Sequence, residues 1–287
     1  MSNRVIKTHT EIASEYYKKC TEHIFNMLSN VVYPIYGADN QGNPIHIGSC
    51  FIIERNFKKF LITASHVINE KEQSKTNLYI GIRGKYGGLI DIIGNTIFLN
   101  SKNSKTDKID IAVIKLEETR YNSIEWKKLV ALSFDYLEHN SNNVTEKLGV
   151  AIGYPNSKNK ISCHNLKMTG LSHSSLIIHK EDVFISIGAS PKDHILIEYD
   201  KKVKDSDGNI HKSSTPTGMS GGPLVTFNVE VNDYLQDIIP DIKISGVLIE
   251  YHKLKKVLLA TKIKYVLEAI QKLEMHAFYA PRQPETS

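Results

Sequence analysis

The amino-acid sequence predicts an all-β body made of two antiparallel barrels or sandwiches, with one helix before it and one at its end. Three observations carry this expectation. From Val31 onward the chain breaks into short segments rich in β-branched and aromatic residues, separated by turn residues. Those segments fall into two groups on either side of a strand-poor stretch at 117–143. At both ends of the chain, apolar residues recur at the helical period instead.

Each element follows from its residues. Ile12, Ala13, Tyr16, Tyr17, Cys20, Ile24 and Leu28 form one helical stripe, and Thr8 with Glu11 has capping-box spacing. Strands are expected at 31–36, 45–53, 60–63, 78–82, 89–99 and 110–116, with turns at 40–42, 85–88 and 101–108. A second set is expected at 147–153, 164–170, 176–179, 183–187, 194–199, 224–229 and 244–251. The run 263–273 reads as a helix through Tyr265, Val266, Ala269, Ile270 and Leu273, and the chain after Met275 reads as a frayed tail. The expected organisation is a helix at 1–30, a first β unit at 31–125, and a linker, second β unit and helix at 126–274, then the tail at 275–287.

Composition excludes several classes. With 287 residues, 41% of them hydrophobic and 23% charged, the chain lies in the globular range and can bury a core. No stretch approaches eighteen apolar residues, so no transmembrane helix and no membrane partner are expected. The first ten residues have no apolar run ahead of a cleavage-like site, so no secretory signal is expected. The net charge of +5 is small and scattered, which argues against nucleic acid. Cys20, Cys50 and Cys163 are too few for a disulfide framework, and no Cys–His spacing suggests a metal. A reducing, cytoplasmic setting without cofactor or metal is the expectation.

Three segments carry chemistry. The first, at 61–67, is a strand running into a small-residue turn that presents His66; the second, at 110–116, is an apolar strand headed by Asp110; the third sets Ser220 among Gly218, Gly221 and Gly222 just before a strand. A serine hydroxyl becomes a nucleophile when a neutral imidazole takes its proton, and the imidazole needs a carboxylate to hold its tautomer. Backbone N–H groups at Gly218 and Ser220 have the spacing to converge on an oxyanion. Taken singly, each has an ordinary structural role: Ser220 a turn serine, His66 a satisfied histidine, Asp110 a strand-end residue. Asp107 competes for the carboxylate role.

Together these segments resemble the trypsin-like, chymotrypsin-fold serine peptidases. Four of that family's patterns stand in family order: Gly48–Ser49–Cys50–Phe51, Thr63–Ala64–Ser65–His66, Asp110–Ile111–Ala112 and Gly218–Met219–Ser220–Gly221–Gly222–Pro223. The likeness continues through GVAIGYP at 149–155 and LLATKI at 258–263, covering roughly 31–274. The resemblance implies two antiparallel β-barrels of the chymotrypsin type and a peptide-bond hydrolase working without a cofactor. It implies a triad of His66, Asp110 and Ser220, with Gly218 and Ser220 as the oxyanion hole. Asp110 is preferred to Asp107 because it directly precedes the apolar strand, as in the family.

The sequence also departs from the digestive members. It has no Ile-Val-Gly-Gly-type start, Met219 stands where they have aspartate, and Val67 follows the histidine where they have cysteine. The ion pair that activates their zymogens is therefore not expected, and the likeness is nearer to intracellular, stress-protease or viral branches. The resemblance puts Ser214 at the pocket floor, Leu258 and Ala260 on one wall and Tyr251 on the other. A shallow pocket for a small or medium apolar side chain follows, with Glu250 as an alternative negative wall. The DSDGN stretch at 205–209 opens like a calcium loop, but Pro216 stands where a twelfth-position glutamate is required, so a polar turn is expected. A protein or peptide substrate and a regulatory protein partner are the partners implied. The reading from another class is a proteolytically silent scaffold that binds peptides or partner proteins in the same cleft.

Overall fold

Residues 56–57 make a two-residue connection between two antiparallel strands, with Asn56 and Phe57 both in positive φ (50° and 60°). That is the conformation of the hairpin turn whose twist matches its strands. The computed structural model describes residues 8–39, 41–74, 77–84, 88–100, 108–138, 148–159, 161–162, 165–166, 168–200, 202–204, 210–228 and 242–279. The polar turn expected at 205–209, Asp107, Cys163 and the chain end beyond Tyr279 lie outside the described residues.

The N-terminal part runs α1 (His9–Leu28), β1 (Val32–Ala38), β2 (Pro44–Arg55), β3 (Lys58–Thr63), α2 (Ser65–Ser74), β4 (Tyr79–Ile82), β5 (Gly88–Asp91), β6 (Gly94–Asn100), β7 (Asp110–Leu116), α3 (Ser123–Lys128) and β8 (Leu132–Ser133). Its strands form one eight-stranded sheet in the order β5-β4-β1-β2-β3-β7-β6, and β8 adds to β2 in parallel. The C-terminal part runs β9 (Leu148–Gly153), β10 (Ile161–Ser162), β11 (Asn165–Leu166), β12 (Leu171–Ile178), α4 (Glu181–Ser186), β13 (His194–Glu198), β14 (Lys202–Lys204), β15 (Ile210–Lys212), β16 (Pro223–Phe227), β17 (Lys243–His252), β18 (Val257–Lys262) and α5 (Lys264–Tyr279). Here six strands close a barrel, β12-β13-β18-β17-β16-β9, with every pair antiparallel.

One hydrophobic cluster joins both parts and both terminal helices. Tyr16, Cys20, Ile24 and Leu28 of α1 and Val266, Ala269, Ile270 and Leu273 of α5 share it with Phe51 and Val113 of the first sheet and Val150 and Val225 of the barrel. The α1 cap is the expected box: the Glu11 N–H donates to Thr8 Oγ1, and the Thr8 N–H donates to Glu11 Oε2 at 2.7 Å. Arg55 pairs with Glu274 at 2.7 Å and ties α5 to β2.

Four expectations change. Residues 183–187 lie largely in α4, not a strand; Glu181 and Asp182 suit a helix start, and a five-residue apolar run does not distinguish the two states. Residues 171–178 form one continuous strand where a break was expected. The run 89–99 divides into β5 and β6 at Ile92 and Ile93, where the Tyr121 hydroxyl accepts the Ile93 N–H (2.9 Å) and donates to the Ile93 carbonyl (3.1 Å), which also accepts the Glu117 N–H (3.2 Å). The final helix continues to Tyr279 rather than ending at Leu273, since no Gly or Pro interrupts it before Pro281.

Candidate active site

Asp110 heads β7, whose next three residues, Ile111, Ala112 and Val113, are fully buried. Burial of that run sets the strand, and its polar first residue is left at the sheet end. His66 lies in the first turn of α2, where the buried Ser65 hydroxyl donates to the Ile111 carbonyl at 2.7 Å and anchors the helix start to β7. The Asp110 carboxylate then grips His66 twice. Oδ1 accepts the backbone N–H at 3.0 Å, and Oδ2 accepts from Nδ1 at 2.5 Å. Protonated Nδ1 leaves Nε2 as the basic nitrogen.

Ser220 lies in the second of two successive turns that share Met219. The Met219 N–H donates to the Pro216 carbonyl (2.9 Å), and the Gly222 N–H donates to the Met219 carbonyl (3.0 Å). Gly218 and Gly221 occupy the third position of each, with φ of 96° and 88°, the glycine position of a type II turn. A Cβ on Gly218 would collide with the Asn156 side chain, and one on Gly221 with the Ser49 carbonyl and Thr63 Oγ1. The glycine-rich pattern is thus a requirement of two turns pressed against neighbouring backbone. Among the described residues, the N–H groups of Gly218 and Ser220 have no hydrogen-bond partner. The Ser220 hydroxyl donates to the Ile249 carbonyl at 3.1 Å. Ile249 is the bulged residue where β17 slips against β18 between Leu248 and Glu250, which frees its backbone from the ladder.

A cleft of about 790 Å³ brings His66, Asp110, Gly218 and Ser220 onto one surface, together with Tyr251 and Leu258. Tyr251 rests edge-on against Tyr199 at 5.3 Å. Two residues expected in the pocket stand off the wall. Ala260 is fully buried inside the barrel, and the carbonyl of Ser214 is held by the Tyr199 hydroxyl. Met219 is 1% exposed and packs on that same barrel core, so no charged group occupies its place.

Sequence reasoning missed His46, Asn156 and Lys108, which also line the cleft. His46 Nδ1 lies 2.7 Å from Asn156 Oδ1, and burial pulls the imidazole down to about 4, so it is neutral. Its place could not be read by strand alternation. Gly48 pairs with Ile35 and His46 with Tyr36, so Ile47 is an extra residue that resets the parity of β2. Lys108 Nζ reaches across to Glu250 Oε2 at 2.7 Å, linking the chain just before β7 to β17.

A β-sheet unit and a closed β-barrel meeting at a cleft with a Ser–Gly turn on one side and a His–Asp pair on the other define a chymotrypsin-fold architecture. The family model described as a trypsin-like peptidase domain matches residues 48–231, and the chain belongs to that family. A solved structure of GrC superposes with a TM-score of 0.51 at 15% identity, covering 86% of this chain and 95% of that one. No curated protein matches the chain. Among the described residues, no helix is long and apolar enough to cross a membrane.

Proposed function

We propose that this chain is a serine endopeptidase that cleaves peptide bonds through Ser220, His66 and Asp110, in a cytoplasmic setting and without a cofactor. The observation that carries the reading is the double grip of Asp110 on His66, in the same cleft as Ser220. In the proposed cycle the Ser220 hydroxyl leaves the Ile249 carbonyl, gives its proton to His66 Nε2 and attacks the scissile carbonyl carbon. The N–H groups of Gly218 and Ser220 receive the oxyanion, and Asp110 stabilises the imidazolium. His66 then protonates the departing amine, leaving an acyl group on Ser220. Water, deprotonated by His66, attacks that ester; collapse returns the proton to Ser220 and releases the acid.

A fluorophosphonate probe tests the reading, since it reacts with an activated serine and not with an ordinary turn serine. Labelling of the intact chain, lost in Ser220→Ala, together with cleavage of a peptide mixture, supports the peptidase. A folded chain that neither labels nor cleaves is the silent scaffold instead.

A further inference from the structure

The β17 face of the cleft carries one charged side chain, Glu250, between Ile249 and Tyr251. Its side chain is 43% exposed, so an incoming molecule can reach it. Both of its ionic neighbours meet the same oxygen: Lys108 Nζ lies 2.7 Å and His252 Nε2 3.2 Å from Oε2. Among the described residues no partner meets Oε1. The carboxylate therefore keeps an acceptor open without giving up Lys108. The other cleft carboxylate, Asp110, has both oxygens committed to His66. Around Glu250 the wall is apolar, formed by Met219, Leu248, Ile249 and Leu258.

Given the peptidase reading above, on which this rests, we propose that Glu250 is a specificity-determining residue that selects peptides carrying a Lys or Arg side chain within reach of the scissile bond. A guanidinium or ammonium docks on Oε1 while Lys108 stays on Oε2; the planar fork of Arg suits an oxygen already shared on its other side. An acidic side chain approaching Lys108 comes within range of the Glu250 carboxylate and meets like charge. His252 and Lys108 hold the Glu250 carboxyl down to about 2, which keeps it ionised across the working pH range. The half-exposed position makes the selection moderate and salt-sensitive.

The test uses fluorescent peptide pairs that differ only in Arg against uncharged citrulline, with the substituted position scanned along the peptide. Binding is read by anisotropy on Ser220→Ala, and cleavage on the intact enzyme. At one position the Arg peptide should bind about 3- to 10-fold tighter at low salt. The ratio should fall to about one in Glu250→Gln, with circular dichroism confirming the fold. In Lys108→Met the ratio should rise, because Glu250 loses a competing cation. Equal binding of the pair at every position, no binding of either peptide, or a preference that survives Glu250→Gln overturns the proposal. Fluorophosphonate labelling of the intact chain separates the two failures: labelling with no Arg preference leaves the peptidase standing, and absent labelling removes it as well.

Discussion

The hydroxyl of Ser49 donates to the carbonyl of Gly218 at 2.8 Å, joining residues 169 positions apart in the chain. The same oxygen accepts the Tyr154 N–H at 2.9 Å, and the Ser49 backbone N–H donates to the Ser220 carbonyl at 2.8 Å. Ser49 is fully buried, and its own carbonyl accepts from Thr63 Oγ1 at 2.7 Å. One serine of β2 thus holds both turns around the candidate nucleophile, with their carbonyls turned inward.

Ser49→Ala strands the Gly218 carbonyl and the Tyr154 N–H in a buried site. The expected cost is about 2–4 kcal/mol of stability, from two unsatisfied groups. The rate of fluorophosphonate labelling should fall as well, because the turn that carries Gly218 loses its anchor. Denaturant unfolding and labelling kinetics check this; an unchanged midpoint would show that Ser49 holds nothing.

Ser220→Ala and His66→Ala should each abolish peptide cleavage with the fold intact. Asp110→Asn should lower turnover by about 10⁴, since it removes the acceptor that holds Nδ1–H. Steady-state rates on one peptide decide it. Near-normal turnover in either alanine variant would end the triad assignment, and a comparable loss in Asp107→Asn would move the carboxylate role.

Gly221→Ala should destabilise strongly, because φ is 88° and the new methyl runs into the Ser49 carbonyl and Thr63 Oγ1. The backbone conformation alone costs about 1–2 kcal/mol, and the collision adds to it. Thermal unfolding checks this, with Gly42→Ala as comparison: it shares positive φ but meets no atom within 4 Å. Equal shifts would mean that conformation, not the close approach, sets the cost.

Stability should fall as pH drops from about 6.5 toward 4. His46 is pulled down to about 4 by burial, from an ordinary value of 6.5. Between those values the unfolded chain binds a proton that the folded chain refuses, so unfolding gains free energy as acid is added. The full effect is about 3 kcal/mol. Burial shifts His173 in the same direction. Glu250 titrates lower, from 4.5 toward about 2, so its contribution is lost at more acid pH. In His46→Gln, unfolding midpoints measured at pH 4.5 and 7 should differ less than in the parent; the same difference in both would remove His46 as the source.

Removal of residues 1–29 should destabilise the chain without activating it. Tyr16, Cys20, Ile24 and Leu28 of α1 are buried in the core shared by both β units. Each such side chain is worth about 1.5–3 kcal/mol. Among the described residues, none of α1 lines the cleft. Lower thermal stability with no gain in labelling per folded molecule is expected. A truncated chain that labels faster would make α1 an inhibitory element.

Much of the architecture was readable because local rules and burial agree. The α1 stripe, the Thr8–Glu11 box and β7 behind Asp110 all follow from residue type and spacing. Elements misread were those decided from outside the segment. Tyr121 and Glu117 bond Ile93 within a run that is locally uniform, and α4 is too short for its periodicity to tell helix from strand.

The sequence by itself determined the order and flanks of His66, Asp110 and Ser220, and the glycines that two turns require, because those constraints act within a few residues. Only the tertiary structure decided which other side chains share the cleft. Bulges at Ile47 and Ile249 shift strand parity by one residue, bringing His46 to the cleft wall and the Ile249 carbonyl to Ser220. Lys108 and Glu250 lie 142 positions apart, and no local pattern records their 2.7 Å contact. Pairing at that range exists only once the β sheet and the barrel pack together, since chain closure over such a separation is unfavourable until the shared core offsets it.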